Sequence, residues 1–130
     1  MGANAEYVRS WVQGWNRGDL EGLIAGADPE IEWVVTREHP DATTHVGVDA
    51  VSKYLSDWLD TMPGLRVEII EQKERGDRVL SVLQLSGAGA GSGAATEVHT
   101  AMLSTFRNGR PLRTAEFLDL DEGRRAFEEG

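Results

Sequence analysis

The chain has no cysteine and only four prolines in 130 residues. Without cysteine there are no disulfides, no thiolate catalysis and no cysteine zinc sites. No apolar run approaches the roughly 20 residues of a membrane span. The start, MGANAEYVRSW, lacks the basic-then-apolar pattern of a signal peptide, so a cytoplasmic protein with no membrane partner is expected. Positive charge is scarce as well. Thirteen Lys and Arg against 22 Asp and Glu leave a formal net charge of −9. Such a surplus opposes a phosphate backbone and argues against nucleic acid as a partner. What the chain does have is apolar content, 40 % of its residues, too much for a disordered polymer. The length fits a single domain over 1–130, burying roughly two thirds of its unfolded surface.

Val8, Trp11, Val12 and Trp15 recur at i, i+3, i+4, i+7, one face of a helix. Gly18 reads as its C-terminal stop and Asp19 as the cap of a short second helix with Leu20, Leu23, Ile24 and Ala27 on its apolar side. Asp28-Pro29 ends that helix, because the residue before proline avoids the α region. Ile31, Trp33 and Val35 alternate as a strand does. Thr36 to Gly47, with Pro40, two His and no periodicity, reads as a loop. Asp49 is expected to cap a third helix with Val51, Tyr54, Leu55, Trp58, Leu59 and Met62 on its apolar face, stopped at Pro63-Gly64.

Beyond Gly64 the period becomes two. Leu65–Glu74 and Arg78–Gly87 are predicted strands joined at Arg75-Gly76-Asp77. Thr96–Arg107 and Arg110–Leu120 are two more, joined at Asn108-Gly109, a strong hairpin signal. Asp121–Glu129 reads as a short helical tail. Helices followed by a run of strands predict an α+β fold, three N-terminal helices packed on a curved, mainly antiparallel sheet. Val79–Leu85 is apolar at nearly every position, as in a strand covered on both faces. With helices on one face, a second subunit is expected on the other, hence a homodimer.

The stretches WNRGDLEGLIAGADPEIEW, HVGVDAVSKYLSDWL and FRNGRPLRTAEFLDLDEG occur in this order. With N-R-G-D-L, D-x-x-I-E-W and E-F-x-D, the chain resembles the nuclear transport factor 2-like superfamily, and within it bacterial SnoaL-like proteins. The resemblance spans nearly the whole chain. It implies a cone in which a bent sheet wraps a long helix and leaves a pocket open at one end. Members include ketosteroid isomerases, polyketide cyclases, limonene epoxide hydrolases, dehydratases and binding modules, so the fold does not select an activity. By the resemblance, the isomerase base falls on Val34 or Val35, its tyrosine donor on Trp11 and its acidic donor on Met102. All three depart from the isomerase pattern: an indole N–H can still donate, but Val cannot act as the Asp base and Met has no acidic proton. The epoxide hydrolase Asp-Arg-Asp set would place one carboxylate at Glu116. Its other two members fall in Val79–Leu85, where Ser81 and Gln84 are the only polar residues.

Glu116 is the most informative carboxylate. It is in phase with Leu112, Thr114 and Leu118, so it either faces the pocket as an acid/base, or is a solvated strand residue, or is buried and paired with Arg113 or a His. His45, and less so His39, lie in the loop that the resemblance puts near the pocket mouth, where an imidazole could transfer protons. With Asp41 and His99 they form no metal-ligand spacing, and His99 should point away from Thr100 and Met102. Trp11 and Trp15 share one helical face, Tyr54 and Trp58 another, and Trp33 lies on the first strand. Core packing explains them equally simply, but together they could wall a pocket for a flat apolar ligand. Gly87–Ala95 contains a formal G-x-G-x-x-A, but it joins strand to strand and so reads as a hairpin connection. Arg37, Arg66 and Glu71–Arg75 read as solvated surface.

The leading expectation is a cofactor-free enzyme using acid/base chemistry (cyclisation, isomerisation, dehydration or hydrolysis) on a small apolar metabolite. Glu116 and His45 would be catalytic. Tyr54, Trp58, Trp15, Trp33, Trp11, Met102 and Thr100 would bind substrate, and no metal is expected. The alternatives are a non-catalytic module that binds hydrophobic ligands and a dimeric interaction domain.

Overall fold

The computed structural model describes residues 2–35, 43–62, 64–88 and 95–129. Helix α1 (Ala3–Arg17) buries Val8, Val12 and Trp15 of the predicted stripe, together with Ala5, and half-buries Trp11. Gly18 ends it in the left-handed region at φ 70°, a conformation that costs glycine nothing. Asp19 then caps α2 (Leu20–Ala25), its carboxylate accepting the Gly22 N–H. After β1 (Glu32–Val35) comes β2 (Thr43–Val46), which corrects the loop expected there. Three of its four residues are exposed, so it carries no alternation; pairing with β1 makes it a strand. His39, Asp41, Arg37 and most of the glycine-rich stretch lie outside the described residues.

Helix α3 (Val48–Thr61) starts one residue before the expected cap. Gly47 precedes it without a side-chain hydrogen bond, and Asp49 lies in its first turn, where a negative charge suits the helix dipole. The long strands are β3 (Arg66–Arg75), β4 (Arg78–Ala88), β5 (Ala95–Arg107) and β6 (Arg110–Phe117). Asn108 and Gly109 both take positive φ, 55° and 76°, which suits the twist of a two-residue hairpin turn. The sheet order is β2-β1-β6-β5-β4-β3. Its pairs are antiparallel except β1 beside β6.

At the β3 edge, the Asn16 side chain donates to the Val67 carbonyl at 2.9 Å and accepts the Val67 N–H at 2.8 Å. It thereby imitates a neighbouring strand and blocks edge-to-edge pairing. At the other end of the domain, Arg107 clamps Asp28 through Nε and Nη2 and also donates to Glu30. The Glu30 backbone N–H first, and then Arg107, hold the Asp28 carboxyl below the usual carboxylate range, against the opposing effect of burial. With a folded-state pKa below the unfolded one, Asp28 stabilises the fold fully above about pH 4. That contribution disappears as the pH falls through the folded-state pKa. In urea titrations, Asp28→Asn should therefore be less stable than the parent at pH 7. The gap should close on acidification, and a constant gap would refute this account.

The inner face of the sheet carries the main core, including Ile31, Trp33, Val35, Val79, Leu83, Met102 and Phe106, against α1 and α3. The outer face is covered by a fourth helix, α4 (Leu120–Glu129), whose Phe127 joins Leu80, Ala101 and Leu103 in a second cluster. Helix and sheet meet so closely that a Cβ on Gly123 would lie 2.7 Å from that of Ala101. The double covering inferred for Val79–Leu85 is met at Leu80 by α4 of the same chain. Arg75 is exposed, as expected, and from the surface lies over the Phe127 ring and pairs with Glu128. No helix among the described residues is long and apolar enough to cross a membrane.

Candidate functional site

The i, i+4 spacing on α1 stacks Trp11 on Trp15, with centroids 5.8 Å apart and planes 22° apart. Trp33, from β1, stacks on the other side of Trp11 at 5.6 Å and 29°. In the parallel β1–β6 register Trp33 faces Thr114. Glu116, two residues further on, lies on the same face of the sheet. The Trp33 Nε1–H reaches diagonally to donate to Glu116 Oε2. The Tyr54 hydroxyl, from α3, donates to the same oxygen at 2.8 Å. No donor among the described residues reaches Oε1.

These side chains border a cavity of about 440 Å³. All the expected substrate-binding residues line it: Trp11, Trp15, Trp33, Tyr54, Trp58, Met102 and Thr100. Glu116 lines it too and is the one carboxylate among the described lining residues, which include no Lys, Arg or His. Thr100 contributes little polarity, because its hydroxyl donates to the Phe117 carbonyl at 2.7 Å. The Trp15 Nε1–H is buried and has no acceptor among the described residues.

His45 stands apart. It lies on β2 opposite Trp33, packs its ring 4.5 Å from that of Tyr54, and is not among the lining residues. As the cross-strand partner of Trp33 it is on the same face of the sheet, beside Tyr54. His99 is itself exposed and shares the strand face of Ala101 and Leu103, away from Thr100 and Met102.

Sequence reasoning missed most of the aliphatic wall, including Leu83, Leu85, Val98 and Leu118. The signal was present, since Val98 shares the parity of Thr100 and Met102, and Leu118 that of Glu116. Met62, Val98 and Leu118 are 41 %, 44 % and 42 % exposed, so the cavity opens through an apolar rim.

An α+β domain whose helices and bent sheet enclose one carboxylate among tryptophans is the class that fold and site define. The chain belongs to the SnoaL-like domain family, whose sequence pattern matches residues 8–114. No curated protein sequence matches it. Among solved structures it is similar to TerC, crystallised with polyporic acid: TM-score 0.77, 22 % identity, covering 98 % of this chain and 99 % of that one. A nuclear transport factor 2-like protein of unknown function from Burkholderia pseudomallei K96243 superposes with TM-score 0.77 at 22 % identity, covering 96 % and 97 %. A putative SnoaL-like polyketide cyclase from Jannaschia sp. CCS1 gives TM-score 0.76 at 21 % identity, covering 95 % and 90 %. At these identities the likeness establishes the fold.

Proposed function

We propose that this SnoaL-like domain is a cofactor-independent enzyme that moves a proton on a small, largely apolar molecule, with Glu116 as the acid/base. The observation that carries the reading is the asymmetric solvation of Glu116. Oε2 accepts both Trp33 Nε1–H and Tyr54 O–H, which fixes the carboxylate in one orientation. Oε1 accepts from no donor among the described residues, and Glu116 lines a cavity walled by apolar and aromatic side chains. A base held this way takes a proton from an activated C–H or O–H of the ligand on Oε1. Returning it to another atom of the same molecule completes an isomerisation or cyclisation, and returning it to a leaving hydroxyl completes a dehydration. The apolar walls keep competing water away, and the tryptophan stack suits a flat ligand. TerC's crystallisation with polyporic acid supports a small-molecule role for such a cavity.

Proton transfer can be tested without the natural substrate, by following deuterium uptake from D₂O at the carbon next to the carbonyl of 1-tetralone. The parent should accelerate exchange. Glu116→Gln keeps the side-chain shape and should lower the rate by about 10²–10⁴-fold, the usual worth of a positioned acid/base, with affinity little changed. Equal rates in parent and variant would remove Glu116 from the role. Tight binding with no exchange in the parent would favour the alternative, a binding module built on the same cavity.

A further inference from the structure

Behind the cavity that Glu116 lines there is a second, smaller one. It measures about 30 Å³, room for a water molecule rather than for a ligand ring. Ser104 and Thr114 border it and hydrogen-bond to each other at 3.3 Å. Among the described residues, four side chains line both cavities and therefore stand between them. They are Trp11 from α1, Trp33 from β1, Leu55 from α3 and Met102 from β5. Strand register puts this partition at the inner end of the large cavity. Met102 is the cross-strand neighbour of Glu116, and Ser104 that of Thr114. The exposed rim at Val98 and Leu118 lies in the opposite direction along the same two segments. Val98 precedes Met102 by four residues, about 13 Å at the rise of a strand.

Of the four, Trp11 is the large side chain whose removal leaves both Glu116 hydrogen bonds in place. Trp33 donates to the Glu116 carboxylate, and Leu55 and Met102 are packed in the core at 2 % and 5 % exposure. Trp11 is half-buried and stacked between Trp15 and Trp33. A ring packed on both faces does not turn aside cheaply in a close-packed interior. We infer that Trp11 is a specificity-determining residue, the stop that closes the inner end of the cavity and limits the length of the ligand. The ligand class is then a flat molecule of two fused rings with a small substituent, spanning the distance from Met102 to the rim. A third ring in line has no room inward and stays at the mouth, partly in water, where it gains little affinity. The inference rests on the proposed use of this cavity as the ligand site, and not on proton transfer by Glu116.

The test compares two probes by equilibrium dialysis, 2-acetylnaphthalene and 2-acetylanthracene, which differ by one ring in line. In the parent, the extra ring should change affinity by less than about threefold, because most of it stays unburied. In Trp11→Ala it should raise affinity roughly tenfold, the order expected for burying one further ring. Trp11→Leu removes less of the stop and should give an intermediate gain. It also serves if near-ultraviolet circular dichroism shows that the alanine variant does not fold. A tenfold preference for the three-ring probe in the parent would mean that the cavity has no stop. An unchanged ratio of affinities in whichever variant folds would overturn the assignment of the stop to Trp11. Binding of neither probe to the parent or to a folded variant would remove the cavity as the ligand site, and the inference with it. Glu116→Gln should keep the parent's ratio. If that variant also leaves deuterium exchange of 1-tetralone intact, the acid/base reading fails and the stop at Trp11 stands.

Discussion

Phe127→Ala should lower the unfolding free energy by about 3–5 kcal/mol, the range for truncating a buried aromatic ring. Phe127 is 3 % exposed and is the anchor by which α4 lies on the outer face of the sheet, against Leu80, Ala101 and Leu103. Two guanidinium groups complete its surroundings, Arg75 and Arg78 lying 5.0 and 5.3 Å from its ring centre. Arg78 also donates to the Ala126 carbonyl at 3.1 Å and to that of Phe127, satisfying acceptors that a helix end leaves unpaired. Losing the ring removes the apolar contact and both cation–π partners together. Urea unfolding followed by circular dichroism measures the change. A loss below about 1 kcal/mol would mean that α4 is not the element stabilising this face. The variant also bares Leu80 and Leu103, so sedimentation should show it associating more than the parent does.

Trp33→Ala should cost a similar amount, about 3–5 kcal/mol, and Trp33→Phe separates its two causes. Trp33 is 6 % exposed and lies between Trp11 and Tyr54. Alanine there opens a hole in the middle of the aromatic wall. Phenylalanine keeps most of the packing but removes the N–H that Glu116 accepts, a bond to a charged group worth about 1.5–3 kcal/mol. With one of its two donors gone, Glu116 is less firmly oriented. Deuterium exchange should therefore fall in Trp33→Phe even where the fold is intact, as judged by near-ultraviolet circular dichroism. Unchanged exchange in a folded Trp33→Phe would show that orientation by the indole does not matter.

Most of the framework was legible because it is local. The stripe on α1, the stop at Gly18, the cap at Asp19 and the Asn108-Gly109 turn each depend on a few adjacent residues, and the structure has all four. The failures fell where the cause is not local. The strand Thr43–Val46 forms because β1 offers it a partner, and its own four residues show no pattern. The contact of the exposed Arg75 with the Phe127 ring was not foreseen, because that ring lies far along the chain.

The candidate site divides the same way. By itself the sequence determined which faces the aromatics occupy and which strand phase Glu116 belongs to, since helical and strand periods follow from backbone geometry. Its resemblance to a known family supplied the expectation of a cavity. Only the tertiary structure decided that Glu116 is gripped on one oxygen by residues 83 and 62 positions away, and that the His45 ring packs against Tyr54 without lining the cavity. It alone brought α4 onto the face for which a second subunit had been expected. Those outcomes depend on strand register and on which segments meet across the sheet. No stretch of chain carries that information locally, because it arises when distant segments bury their apolar faces together.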